Sequence, residues 1–351
     1  MSPWTRSLSA MRLVRPAQLV VLAALPLALL SPPPAQAARA TSTVSVLTFN
    51  VCGHSAGCGG WAEREDAVVK RIVGARADVV AVQETWGVLD RLEQRLAPYG
   101  YAKVADSGNE GMFAKTSKLT PLTVSSIVPS CTYGRIYPGP EIDTSAWIAP
   151  EHTDGDGVVW TSRRGGPWSR YATTCVDQVV ETAKNGQTVI APGGRAGAAW
   201  ALLRVTRTKK TYLFVSAHLS TGKNKVAGKR SKEAARLLAV TAPAAEGRPR
   251  VFAGDFNSSI QRGRDTVGRR FTKAGFKDAY TTTRARRGAK YNTATGYGRK
   301  PAVGGSHIDR VMLPRGATAT RWEAVVKVRG SKAVTPIPSD HAPVRVSIVL
   351  R

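Results

Sequence analysis

Six short polar stretches, each tied to an apolar run, hold the side chains that could do chemistry. Asn50 closes Leu47-Thr48-Phe49, Gln83 and Glu84 close Val80-Ala81-Val82, and His218 closes Phe214-Val215-Ser216-Ala217. Asp255 and Asn257 follow Val251-Phe252-Ala253-Gly254, Asp309 lies in Ser306-His307-Ile308-Asp309-Arg310, and Asp340-His341 precedes the last apolar run. Strand ends are where a rigid sheet can hold several functional groups together within reach of a substrate. Carboxylates, amides and imidazoles without a Ser or Cys nucleophile motif fit metal-assisted hydrolysis. Each residue alone also has an ordinary reading. Asn50 would cap a turn, Glu84 would be the acid of a helix's first turn, and Asp255 with Asn257 would form an Asx-turn. His218 and His341 are two of only five histidines, and both fall in these stretches. His54 and His152 are expected to be structural or exposed, and His307 to make a surface or substrate-side contact.

The elements that must position these ends follow from periodicity. Val44–Phe49 and Asp78–Val82 predict strands, and Trp61–Ala75 and Val88–Leu96 predict helices, the second stopped by Pro98. Pro121–Gly194 is rich in Gly, Pro and Trp and reads as loops and short edge strands. Strands return at Ala198–Val205 and Thr211–Ala217, joined by the basic turn Thr206–Lys210. A helix over Lys229–Val240 and a strand over Arg250–Gly254 follow, then strands over Ser306–Leu313, Arg321–Val328 and Pro343–Leu350. Strand–helix alternation early and strand pairs later predict an α/β fold of two packed sheets with helices outside.

These stretches resemble the endonuclease/exonuclease/phosphatase superfamily, the deoxyribonuclease I-like enzymes. The likeness rests on Thr48-Phe49-Asn50, Gln83-Glu84-Thr85, Ala217-His218-Leu219, Gly254-Asp255-Phe256-Asn257, Ile308-Asp309-Arg310 and Ser339-Asp340-His341-Ala342-Pro343. One such motif is weak; six in order, over residues 44–350, are specific. The resemblance implies a four-layer α/β sandwich, two mixed sheets flanked by helices, and hydrolysis of phosphoric ester bonds. It implies Glu84, Asn50 and Asp340 as metal ligands, with Mg²⁺ as the ion and Mn²⁺ or Ca²⁺ as alternatives. It further implies that Asp255 orients or deprotonates the attacking water and that Asn257 holds phosphate or that water. Asp309 would orient His341 against the phosphate, and His218 would contact the opposite oxygen or assist the leaving group. Two further positions are candidates: Arg195 to reach the phosphate and Glu110 to partner His218.

Composition sets the remaining expectations. Arg6, Arg12 and Arg15, the apolar run Leu19–Leu30 and Ala35-Gln36-Ala37 read as a secretory signal over residues 1–37, cleaved near Ala37. The rest, residues 42–351, is expected to be one soluble, extracellular, monomeric domain with no stable protein partner. The chain carries 51 Lys and Arg against 24 Asp and Glu, a net +27, which draws in polyanions. Cys52, Cys58, Cys131 and Cys175 allow three pairings in an exported chain; proximity favours Cys52–Cys58, leaving Cys131 for Cys175. Basic residues crowd the second half. Tyr291, Tyr297, Arg299 and Lys300 interleave rings with charge, as a polynucleotide site would. No base-reading motif is visible, so a nuclease of little sequence specificity is expected. A sphingomyelinase-like phospholipid phosphodiesterase is the alternative, suggested by Trp147, Trp160, Trp168 and Tyr171. A secreted polyanion-binding protein without catalysis is the reading from another class.

Overall fold

Val44 and Val46 join one apolar cluster and Leu47 and Phe49 another, so the first strand is buried on both faces. That is why it reads as a continuous apolar run instead of an alternation. The computed structural model describes residues 41–135, 159–161, 169–183, 185–189, 197–222, 226–263 and 265–351, with backbone alone from 123 to 189.

The first half runs β1 (Ser42–Asn50), α1 (Trp61–Ala75), β2 (Val79–Gln83), α2 (Leu89–Leu96), β3 (Tyr101–Asp106), β4 (Glu110–Lys115) and β5 (Leu119–Pro121). Then come β6 (Thr123–Arg135), β7 (Val159–Thr161), β8 (Ser169–Ala183), β9 (Asn185–Val189), β10 (Gly197–Val205) and β11 (Thr211–His218). The second half holds α3 (Ala227–Ala245), β12 (Arg250–Asp255), α4 (Thr266–Lys273), β13 (Lys277–Asp278), α5 (Ala279–Thr282) and β14 (Arg286–Arg287). It closes with β15 (Asp309–Leu313), β16 (Thr318–Ala324), the small pair β17 (Val328–Arg329) and β18 (Lys332–Ala333), and β19 (Val344–Leu350).

Two mixed sheets result. The first has the order β14-β16-β19-β1-β2-β4-β3, and the second β13-β15-β12-β11-β10-β5, with β9 also on β10. Each has a parallel pair, β1 with β2 and β11 with β12, flanked by antiparallel strands. Between the sheets pack Val44, Val46, Val79, Ala81, Met112, Phe214, Val251, Val311 and Val346. Outside the first sheet, Leu47, Phe49, Val80 and Val82 meet Val68, Ile72, Leu92 and Leu96 of α1 and α2. Outside the second, Val215, Phe252 and Phe256 meet Leu237, Val267 and Phe271 of α3 and α4. This is the four-layer α/β sandwich.

Phe252 stacks edge-to-face on Phe271 and Phe276 with centroids 5.0 Å and 5.2 Å away. Each such pair adds about 0.5–1.5 kcal/mol beyond area burial. Polar atoms between the sheets are matched as well. Thr48 Oγ1 donates to Gln83 Oε1 at 3.1 Å, and Gln83 Nε2 donates to Ser216 Oγ at 3.0 Å. This chain of bonds fixes how the sheets sit on each other, because an unpaired buried amide would cost about 1–3 kcal/mol.

The structure corrects the reading of Pro121–Gly194 in part. Short edge strands are present as β7 and β9, but the segment also contains β6 and β8, 13 and 15 residues long and paired antiparallel. Their β-branched residues (Thr123, Val124, Ile127 and Val128 against Val176, Val179, Val180 and Thr182) are the signal that the Gly- and Pro-rich surroundings obscured. Cys131 and Cys175 are register partners across this pair; the disulfide expected between them concerns side chains outside those described. The other expected bridge, Cys52–Cys58, is present. The expected signal segment, His152, Arg195, Trp147 and Trp168, and the side chains of Trp160 and Tyr171, also lie outside the described residues. No helix among the described residues is long and apolar enough to cross a membrane.

Candidate active site

Parallel register is what gathers the site. In β1 and β2, Asn50 lies beside Gln83, which delivers Glu84 just past the strand. In β11 and β12, His218 lies beside Asp255, and antiparallel β15 sets Asp309 opposite Asp255. The two sets of ends meet across the gap between the sheets. Asn50 Nδ2 donates to Glu84 Oε1 at 2.9 Å and to Asp255 Oδ2 at 3.3 Å. Within the second sheet, Gly254 lets β12 lie close against β11: a Cβ there would lie 1.9 Å from the Ala217 carbonyl oxygen. Two site residues occupy left-handed backbone, Glu84 at φ 53° and Asn257 at φ 48°. Asn tolerates that conformation; for Glu84 it costs on the order of 1–2 kcal/mol and turns the carboxylate off the strand.

The acid–base groups are buried: Asp255 and Asp309 stand at strand ends of the second sheet, and His341 in the loop that leads into β19 of the first. Asp309 accepts from His341 Nδ1, at 3.1 Å and 2.9 Å to its two oxygens. Its backbone is fixed by Thr293, whose Oγ1 accepts from the amides of Ile308 and Asp309 at 2.9 Å and 3.0 Å. Burial pulls the His341 pKa down, but Asp309 and Asp255 outweigh it and hold it at about 10. His341 is therefore an imidazolium at neutral pH, with Nε2 3.8 Å from Asp255 Oδ2. Burial pushes the Asp255 carboxyl up and the Asp309 charge adds to this, while His341 and His218 pull it back. A carboxylate so placed is a stronger base than a solvated one.

His218 is clasped from both sides. Its Nε2 lies 3.7 Å from Asp255 Oδ2, 4.0 Å from Glu84 Oε1 and 3.4 Å from Asn257 Nδ2. Because Asn257 Nδ2 donates, the neutral ring carries its proton on Nδ1, which has no hydrogen-bond partner and lies 4.0 Å from Glu110 Oε1. Burial pushes the Glu110 carboxyl up to about 7, opposed by His218 and by bonds from Ser107 and Asn109. Glu110, the expected partner of His218, is thus enclosed behind it, with Gly197 packed against its carboxylate. It positions the histidine and does not face substrate.

The cation side is on the first sheet. Glu84 keeps 29% of its side chain exposed, against 2% for Asp255. An open carboxylate oxygen beside a buried one suits a hard divalent ion that retains its waters. Asn50 presents nitrogen to Glu84, and its Oδ1 accepts from Cys52 N at 3.0 Å, so in this orientation the amide steadies the carboxylate and offers no oxygen to a cation. Asp340 is held by Ser339 Oγ at 3.3 Å. Two clusters among the described residues have metal-ligand spacing: Asp255, Asp309 and His341, and Cys52, Cys58 and Asp340. The second is closed to thiolate binding by its disulfide. The first already holds an imidazolium on Asp309, which leaves Glu84, joined to Asp255 through Asn50, as the open carboxylate suited to a divalent cation.

Several supporting residues were not foreseen. Arg64, wholly buried in α1, donates to the carbonyls of Val51 at 2.6 Å and Pro338 at 2.8 Å, and to those of Cys52 and Gly53. One guanidinium thereby ties the loop after Asn50 to the loop before Asp340. Ser339 Oγ adds a bond to Asn50 O at 2.7 Å. Behind His218, Glu233 takes both the amide (2.9 Å) and the hydroxyl (2.5 Å) of Ser220. Arg310 is buried between Asp265 and Asp278 at 2.9 Å and 2.7 Å. The one available signal was a charged residue at a core-facing helical position, as with Arg64.

Other expected contacts scatter. Tyr297 reaches the rim, since Gly296 N donates to Asp340 O at 2.9 Å. Arg299 and Lys300 are exposed and Tyr291 is half-buried, and no described contact joins these three to Glu84, Asp255 or His341. His307 is buried, its ring 4.6 Å from both Tyr280 and Trp322, which excludes a surface or substrate role. His54 is exposed, as expected.

A family model described as Endonuclease/Exonuclease/phosphatase family matches residues 47–341. No curated protein matches the chain. Among solved structures, an endonuclease/exonuclease/phosphatase family protein from Bacteroides thetaiotaomicron is 16% identical, covering 90% of this chain and 97% of its own at a TM-score of 0.57. The mannosyl-6-phosphatase Bt3783 of the same organism is 16% identical, covering 88% and 100%, with a TM-score of 0.55. The human Nocturnin catalytic domain with bound sulfate is 13% identical, covering 92% and 100%, also at 0.55. At these identities the likeness is one of fold.

Proposed function

The chain belongs to the endonuclease/exonuclease/phosphatase family of metal-dependent phosphoester hydrolases, and from that premise we propose that it is an exported nuclease. It cleaves nucleic-acid phosphodiester bonds with little sequence preference and uses magnesium held at Glu84 and Asp340. The observation that carries the nucleic-acid reading is the run of exposed bases Arg284, Arg286, Arg287, Lys290, Arg299 and Lys300 just before Asp309, in a chain of net charge +27. Such a surface binds a polyanion backbone irrespective of sequence.

In this reading Asp255 accepts a proton from the attacking water as the water oxygen bonds to phosphorus. Asn257 holds that water or a phosphate oxygen. His341, kept charged by Asp309, donates from Nε2 to a non-bridging oxygen. The P–O bond to the leaving group breaks, and the departing oxygen takes a proton from solvent relayed through Nε2 of His218, whose Nδ1–H faces Glu110. A divalent cation, when bound, neutralises phosphate charge and stabilises the leaving oxygen. The signal segment over residues 1–37 directs export, with cleavage near Ala37.

The deciding experiment incubates the full chain with DNA, RNA, sphingomyelin and a sugar phosphate, with and without EDTA. Chelator-sensitive breakdown of DNA or RNA supports the reading; turnover of only sphingomyelin or only the sugar phosphate refutes it. Polyanion binding without any hydrolysis would establish a binding protein instead. Amino-terminal sequencing of protein from the medium should begin close to Ala38.

A further inference from the structure

Beside Glu84 lies a small open cleft of about 130 Å³ lined by Gly53, His54, Ser55, Glu84, Trp86 and Asn109. Trp86 is 61% exposed, though folding normally hides an indole. The walls are rigid. The Cys52–Cys58 bridge closes one of them, and Arg64 holds its Cys52 and Gly53 carbonyls. Gly53 N donates to Glu84 O at 2.7 Å and Thr85 N to Asn109 O at 3.0 Å, so the turn bearing Trp86 is pinned on both sides. At Gly87, φ is +71° and a Cβ would fall 2.8 Å from the His54 ring. This glycine lets the imidazole close down beside the tryptophan.

We infer that this cleft is a nucleobase subsite, in which Trp86 stacks on one unpaired base next to the scissile phosphate while His54, Ser55 and Asn109 offer polar contacts to its edge. The inference deepens the nuclease reading and rests on it. Three features favour a base over a lipid surface. Trp86 stands in a recess with polar neighbours, not on a contiguous apolar patch. The cleft shares Glu84 with the cation side, so a ring bonded through its sugar to the held phosphate is brought to the indole. A face of tryptophan accepts any base, which agrees with a chain that has no base-reading motif. A base in a paired duplex is not available to it. The consequence is a preference for single strands.

Steady-state cleavage of a single-stranded oligonucleotide and its duplex by the full chain tests this. Trp86→Ala should raise KM for the single strand about fivefold or more and KM for the duplex by less than twofold, and Trp86→Phe should recover most of the loss. Tyr99→Ala, an exposed ring (50%) at the far end of the sheet, should change neither. Equal effects of Trp86→Ala on both substrates, or no effect on the single strand, overturn the subsite. If the parent cleaves no nucleic acid, the functional reading has failed, and the subsite is tested apart from it by titrating AMP and ribose 5-phosphate with Mg²⁺. Tighter binding of AMP that is lost in Trp86→Ala keeps the subsite; equal affinities refute it. A Trp86-dependent fluorescence shift with sphingomyelin vesicles and none with oligonucleotide replaces the base by a membrane.

Discussion

The two sheets deliver their parallel pairs to the same place, yet their ends differ in character. The first contributes Glu84, partly open to solvent, beside an amide that steadies it. The second contributes Asp255 and Asp309, to which His341 is joined from the loop before β19; all three are shut from water and strongly coupled in charge. The difference is one of task. A cation exchanges with solvent and needs an accessible oxygen, whereas a base and an imidazolium act best where water cannot level them. One fold thus holds a wet half-site and a dry one, joined by Asn50, whose Nδ2 donates to Asp255 Oδ2 at 3.3 Å.

Substitutions can break that contrast. The largest effect should come from the dry side: Asp255→Asn or His341→Ala lowers kcat about 10³-fold, as removal of a positioned acid or base does. Saturating magnesium gives no recovery in a single-turnover assay. Glu84→Gln costs about 10²-fold at low magnesium and regains much of this as the ion is raised, because one ligand changes affinity by about 10–100-fold. Identical magnesium titrations for the two kinds of variant would erase the distinction between the halves.

Glu110 sharpens the contrast through pH. Its folded pKa is about 7 against an ordinary 4.5. The stability of its neutral form is therefore present below pH 4.5 and lost as pH rises toward 7. Compared with Glu110→Gln, the parent should lose on the order of 2–3 kcal/mol across that window in urea melts. Parallel pH curves would mean that Glu110 is not desolvated behind His218. The smallest effect belongs to the exposed bases. Arg287→Ala or Lys300→Ala should weaken polynucleotide binding less than about threefold and reduce the salt slope by about 1. An unchanged slope would remove that residue from the phosphate track.

Legibility followed burial. α1 was readable to its ends because an amphipathic stripe begins at Trp61 and stops at Ala75. β1, β2, β11 and β12 were readable because strands covered on both faces are apolar runs, and the functional residues stand where the runs stop. Edges were harder. β16 lies at Thr318–Ala324, not at 321–328, since only Ala319, Trp322 and Ala324 are buried and pairing with β19 sets its position. β15 starts at Asp309 and not at Ser306, because Asn292 and Thr293 side chains take the preceding amides away from the ladder. α3 continues past Val240 through Pro243, in its last turn, to Ala245. Arg64 showed only as a charge at a core-facing helical position; its partners, four carbonyls from two distant loops, leave no trace in local sequence. Trp86 was passed over for the same reason: exposure depends on neighbours that only folding supplies.

The Asn50 amide grips one carboxylate from each layer, so the second half of the centre is tied to the first only when the layers dock. A slide of the layers by an ångström would free Asp255 and leave Glu84 bonded within its own sheet. In an incompletely folded chain the open carboxylate therefore stands without the buried base, and the centre is whole only once the last docking step is complete.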